Sequence, residues 1–373
     1  MLHSITRFTK LIGVSLSIVA LGFAQVATAQ SKETAFIAGL NKISTFASTV
    51  PSNGDVNPYG IAIVPNTTGS LNKGDILVSN FNNSANLQGT GTTIVKITPN
   101  GTQSLFAQIN RNTVSPQSCP GGIGLTTALT VLKSGWVIVG SLPSLDGTPA
   151  TVGTGCLLVL DSNGHVVDTI TSNIKGPWDL TAIENQSSGD NEQVTLFVSN
   201  VLSGTPSIQP TNQGTIVRLN LKVSEHQKPQ VSSSTIVGTG FAEKLDANNL
   251  VVGPTGLALG EHETLYVADT INSRISAIPD AISRQSPTSP VEVSSGGKLN
   301  MPLGMQLAPN GDILTVNAGD GNLVETRPDG QQVSSIQLSP QGAGTLFNLL
   351  VVKDKGIYFV NDGTNTLNLL SKQ

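Results

Sequence analysis

The chain has 373 residues, a formal charge of −4, 12% charged and only 4% aromatic residues. It carries no basic block or stripe that would release counterions from a phosphate backbone, which excludes nucleic acid as a partner. Beyond the first residues no apolar stretch is long enough to cross a bilayer.

In chain order, Arg7 and Lys10 precede an apolar run from Leu11 to Phe23, and Ala27-Thr28-Ala29 supplies small residues before Gln30. That order predicts a secretory leader over 1–29 and a mature protein, periplasmic or secreted, forming a single domain over 30–373. Cys119 and Cys156 are the only cysteines. In an oxidising compartment they are expected to be bridged, and their wide spacing is unlike a CxxC redox pair.

Short apolar runs rich in β-branched residues and separated by Gly, Asn and Asp turns then recur. The clearest unit is Gly253-Pro254-Thr255-Gly256-Leu257-Ala258, followed by Leu265-Tyr266-Val267-Ala268-Asp269 and Arg274-Ile275-Ser276-Ala277-Ile278. Comparable units open at Gly60, Gly122, Asp179, Gly256, Gly304 and Gly344. Six sheets of this kind predict an all-β, six-bladed propeller with mostly four-stranded antiparallel blades. In the Pro-x-Gly openings Pro restrains the approach to the first strand, and Gly permits a tight turn or close packing near the axis. The last unit has only three clear strands, so Ile43–Phe46 is expected to supply its fourth and join the two ends of the chain. Leu221–Ser234 reads as a polar outer connection, and Ser283–Ser289 as an exposed loop.

Second-strand ends align at Asn80, Ser141, Asn200, Asp269, Asn317 and Asn361. Six short polar side chains on one face are ligand-binding candidates, and they are equally suited to capping their own turns. Asp269, Asn200 and Asn317 are the candidate metal ligands, with calcium as the cation their oxygens suit. Tyr59 and Trp178 share one position in the openings, where a sugar can stack on an aromatic ring facing the axis. Trp136 sits among alternating apolar residues and is expected to pack between blades. Long links at 81–92, 142–155 and 201–213 predict a raised half-rim on the face that carries the aligned Asn and Asp residues. His165, His226 and His262 form no HxxH or HExxH arrangement, and no Gly-x-Ser-x-Gly is present.

The repeats resemble those of the NHL family of β-propellers, most closely at Gly253–Ala258, Leu265–Thr270 and Asn272–Ile275. The resemblance covers roughly Asn57 to the C-terminus and implies a propeller. Similar propellers include protein-binding and carbohydrate-binding modules, lactonases and lyases. The expected function is a monomeric binding module for a protein, peptide or carbohydrate through the loop-rich axial face. The alternative is a calcium-dependent lactonase-like hydrolase or isomerase of a polar small molecule.

Overall fold

The computed structural model describes residues 34–110, 114, 118–185, 192–224 and 227–373. The expected leader and His226 lie outside them. Ala35–Gln373 forms one compact unit of six antiparallel sheets set around an axis. Blade 1 comprises Val56–Ile63, Ile76–Asn82, Thr93–Ile97 and Gln103–Gln108. Blade 2 comprises Leu125–Val131, Val137–Ser141, Cys156–Leu160 and Val166–Ile170. Blade 3 has the longest strands, Gly176–Asn185, Glu192–Val201, Thr211–Val223 and Gln230–Asp246, with Leu250–Val252 added as a fifth. Blade 4 is Pro254–Leu259, Leu265–Asp269, Arg274–Ile278 and Val291–Ser295, and blade 5 is Pro302–Leu307, Ile313–Asn317, Asn322–Thr326 and Gln332–Gln337. The first strand of each blade touches that of the next, and blade 6 touches blade 1 to close the ring.

The middle strands explain why these sequences fold as blades. Val137–Ser141 and Cys156–Leu160 are buried along their whole length, because both sheet faces lie against neighbouring blades. Such strands read as continuous apolar runs rather than alternating ones. The outer strand Val166–Ile170 has one neighbour fewer and reverts to a half-exposed pattern. Apolar clusters accordingly fill the spaces between blades: Leu77, Ile94, Leu125 and Val139 in one, Leu157, Val159, Leu196 and Val217 in another. Trp136 packs against the second cluster and donates its Nε1 hydrogen to the Ser224 carbonyl at 2.8 Å.

Blade 6 is built from both ends of the chain. Leu346–Val352, Gly356–Asn361 and Thr366–Ser371 are completed by Lys42–Ser48, which runs antiparallel to the last strand from Lys42↔Ser371 to Ser48↔Thr366. The preceding 3-10 turn, Phe36–Gly39, is fixed separately: the Phe36 and Ile37 amides donate to the buried Glu325 carboxylate of blade 5 at 2.7 and 2.8 Å. Those are charge-assisted bonds, the stronger kind.

Two openings lie further along than the glycine pattern predicts. Blade 2 begins at Leu125, which pairs with Ser141, and blade 6 begins at Leu346, which pairs with Asn361. The Gly122 segment instead belongs to a loop held by the Cys119–Cys156 disulfide, with 5.4 Å between Cα atoms. Gly342 and Gly344 take left-handed backbone conformations, φ 81° and 78°, in the turn before blade 6. The polar stretch read as a connection is largely strand: Thr211–Val223 pairs with Gln230–Asp246 as far as Lys222↔Gln230. Lys222, Gln230, Ser232 and Ser233 are exposed on these outer strands, so polarity marked exposure and not the absence of structure.

Candidate functional site

The aligned second-strand residues are all buried, and each holds a nearby chain segment. Asn80 Nδ2 donates to the Thr49 carbonyl at 3.0 Å, and Ser141 Oγ to the Gly122 carbonyl at 2.9 Å. Asn200 Oδ1 accepts the Lys175 and Gly176 amides at 2.7 and 3.0 Å. Asn317 Nδ2 donates to the Lys298 carbonyl at 2.8 Å, and Asn361 Nδ2 to Ser339 Oγ at 3.3 Å. In these five blades the second-strand end ties down the segment that enters the same blade. The Oδ1 atoms of Asn80, Asn317 and Asn361 are buried without a partner.

Asp269 differs. Its fully buried carboxylate accepts Arg274 Nε at 2.7 Å and Asn272 Nδ2 at 3.1 Å on each oxygen. The guanidinium takes the place a cation would need, and Asn200 already spends its oxygen on two amides. Among the described residues no three His, Cys, Asp or Glu are grouped to hold a metal. Asp269, Asn200 and Asn317 therefore do not fit a calcium cage.

The axial channel is filled on this face. Tyr59 stacks on Phe347 with ring centroids 4.3 Å apart, and Phe81 and Trp178 lie 4.8 and 6.2 Å from it. Leu303, Leu142, Val201, Leu250 and Val251 join the same apolar cluster. The long links are tied to one another and to the end of blade 3: the Gly89 carbonyl accepts the Ser144 amide at 2.8 Å, the Ser207 carbonyl accepts the amide of Leu245 in blade 3's outer strand at 2.6 Å, and Gln88 Nε2 donates to the Asn248 carbonyl in the turn after it. The expected half-rim thus closes over an aromatic plug, with Tyr59 and Trp178 buried inside it.

The open part of the channel lies at the other end, where a cavity of about 420 Å³ is lined by all six inner strands. Each inner strand is hydrogen-bonded to a neighbour on one side only, so its other edge of backbone N–H and C=O groups faces the axis. One position past the plug, the strands carry a register shift. Gly60, Gly256 and Gly304 occupy it in blades 1, 4 and 5, Asp179 in blade 3 and Asn348 in blade 6. A Cβ at Gly304 would stand 2.6 Å from the Asn348 Cα and 2.7 Å from the Phe347 carbonyl oxygen.

Asp179 is only 5% exposed and lines the cavity. Its Oδ1 accepts the Leu180 amide at 2.8 Å, and its own amide donates to Ser199 Oγ at 3.0 Å. Burial pushes its carboxyl well above the ordinary range, opposed only by the Leu180 bond. Asn348 Oδ1 accepts the Leu349 amide at 2.9 Å, and Gln306 Oε1 accepts the Val351 amide at 2.8 Å. Both keep an NH2 group for the cavity that they line. Glu184 stands on the same strand as Asp179, near the strand's end, and accepts the Lys133 amide at 2.9 Å. Its carboxyl is raised by burial and by nearby Glu192. His165 and His262 are exposed on the outside of the ring's turns.

No family model matches the sequence, and no curated protein matches it. Solved structures do match. A gluconolactonase from Xanthomonas campestris is 13% identical with a TM-score of 0.54, over 90% of this chain and 92% of that one. A putative gluconolactonase is 14% identical with a TM-score of 0.54, over 91% and 94%. A calcium-binding regucalcin from Agrobacterium tumefaciens is 11% identical with a TM-score of 0.50, over 88% and 97%. At these identities the likeness establishes the six-bladed fold.

Proposed function

We propose that the protein is an exported binding protein for a small polar molecule, of carbohydrate size, that enters the axial cavity from the face opposite the long links. The observation that carries this reading is Asp179, a buried carboxyl lining a cavity into which Asn348 and Gln306 also present free amide donors. Sites of this kind combine an enclosing wall with a few convergent polar groups. The plug of Tyr59, Trp178 and Phe347 favours this end over the loop-rich end. The bridged cysteines support a periplasmic or secreted location. The recurring close-packed glycines at Gly60, Gly256 and Gly304 support an NHL-like origin for the repeats.

The test is calorimetric titration of the mature protein with a panel of mono- and disaccharides, on the native chain and on Ala182→Trp, which places an indole against the cavity wall. Binding that is lost in Ala182→Trp and kept in a loop variant such as Leu145→Ser supports the cavity. Binding lost only in the loop variant moves the site to the other face.

The gluconolactonase likeness supports a second reading, hydrolysis of a polar lactone with Asp179 as general acid or base. Proton release from gluconolactone above the buffer rate, lost in Asp179→Asn, would establish it.

A further inference from the structure

We propose that the axial cavity selects a ligand carrying a protonated amine, which pairs with Asp179, together with hydroxyl or carbonyl oxygens that meet Asn348 and Gln306. The proposal rests on the cavity being the binding site, and it adds the sign of the ligand's charge.

Among the described residues the two ionisable side chains that line the cavity, Asp179 and Glu184, are both acids, and no Lys, Arg or His lines it. Asp179 has no ion-pair partner among the described residues, and of its two oxygens only Oδ1 receives a hydrogen bond, from Leu180. The inner strands packed on either side of it contribute Leu129, Thr130, Leu257 and Ala258 to the wall, none of them charged. Glu184, the second acid of the wall, is acted on by Lys133 and Glu192. A buried carboxyl without a counterion is stable as the neutral acid, or as the anion once a cation is brought to it. No cationic side chain among the described lining residues supplies it, so a cationic ligand entering the cavity can.

The donors across the axis define the rest of the ligand. Asn348 and Gln306 each spend an acceptor position on the Leu349 and Val351 amides, which leaves their NH2 groups as the side-chain donors available to a guest. N–H donors call for acceptor oxygens. Blade 6 stands opposite blade 3 in the ring, so a guest with an ammonium at one end and oxygens at the other spans the two. Amino sugars and amino alcohols have that arrangement. On entry the Asp179 carboxylic acid gives its proton to solvent and the ammonium keeps its own. The products are a carboxylate–ammonium pair in the cavity and one proton in the buffer.

The experiment is titration calorimetry of the mature protein with glucosamine, glucose and N-acetylglucosamine at about pH 6, where the amine is charged, in two buffers of different ionisation enthalpy. A charge-assisted bond in a buried site is expected to favour glucosamine by about tenfold or more over the other two. Its binding should be accompanied by proton release, and Asp179→Asn should abolish both the release and the preference, bringing glucosamine down to the affinity of the two uncharged sugars for the same variant. A melting curve checks that the Asn variant folds, and Asp179→Ser serves if it does not. Equal or tighter binding of glucose, or a glucosamine preference that survives in Asp179→Asn, overturns the charge assignment and leaves the cavity reading intact. If none of the three sugars binds, both fall for ligands of this class.

Discussion

Asp179 and Asn348 occupy the same register position on the inner strands of opposite blades. In blade 3 the position falls between Pro177↔Asn200 and Leu180↔Val198, and in blade 6 between Leu346↔Asn361 and Leu349↔Phe359. Blades 1, 4 and 5 have glycine there: at Gly256 and Gly304 the next blade's backbone approaches too closely for a side chain, and at Gly60 Ser79 Oγ and the Leu129 Cβ do. The polar groups of the cavity therefore stand where blades 3 and 6 carry a side chain at the position that blades 1, 4 and 5 keep as glycine.

That rule gives the first prediction. Gly304→Ala would set a methyl group against the Asn348 Cα and the Phe347 carbonyl, both backbone atoms that cannot rotate away. Overpacking of this kind costs about 1–3 kcal/mol, and it should also displace Asn348 from the cavity. Gly39→Ala meets only the flexible end of Lys372 at 3.8 Å and should change stability by less than about 0.5 kcal/mol. Denaturant melts of the two variants make the comparison.

A second prediction concerns Asp269. With Arg274 held at 2.7 Å and Asn272 on both oxygens, calcium has no vacant carboxylate to coordinate. Calcium titration should leave the heat signal and melting temperature of the native protein unchanged. Asp269→Ala should destabilise by about 3 kcal/mol or less, with or without calcium, since Arg274 keeps a second contact with Glu292 at 3.7 Å. A calcium-dependent rise in melting temperature that disappears in the variant would restore the metal reading.

Most of the fold was legible because a propeller repeats one solution, and Leu265–Asp269 or Ile313–Asn317 can be recognised by comparison with its neighbours. Asp179 was also visible, as the residue that replaces Gly in Pro177-Trp178-Asp179. Its counterpart Asn348 was not. Gly342 and Gly344 mimic an opening, yet they serve a left-handed turn, and the strand starts after them. Nor could the sequence tell which end of the channel is open. Tyr59, Trp178 and Phe347 are separated by more than a hundred residues at each step, and only ring closure stacks them into a plug. The Asn and Asp alignment was real, but the hydrogen bonds to Thr49, Lys175 and Lys298 that use it come from segments without a repeating signature.

The joined ends give a third prediction. Lys42–Ser48 supplies a whole strand of blade 6, and the turn before it is tied to blade 5 through Glu325. Removing residues through Ser48 should expose Leu367 and Leu370, now fully buried, and lower the melting temperature of the entire ring in one transition. A separate early transition, with the main melt unmoved, would show that blade 6 closes without its fourth strand.

The same junction predicts a pH dependence. Asp312 lies beside Glu325, and Asn310 Nδ2 reaches both carboxylates, at 3.0 and 3.3 Å. Burial first, and then the Glu325 carboxylate, push the Asp312 carboxyl up to about 6. A raised acid binds its proton more tightly in the folded state than in the unfolded one. Stability contributed by that proton is fully present below the unfolded value of 3.8 and is lost as pH rises toward about 6. Asp312→Asn keeps an acceptor for Asn310 and offers an N–H to Glu325 in place of the proton. It should stabilise the protein by about 1 kcal/mol or less near pH 8, the gain being limited by solvent screening, and have no effect near pH 4. Melting curves at the two pH values decide the matter. Equal effects at both would mean that Asp312 acts through packing and not through its charge, and that the N-terminal turn rests on Glu325 alone.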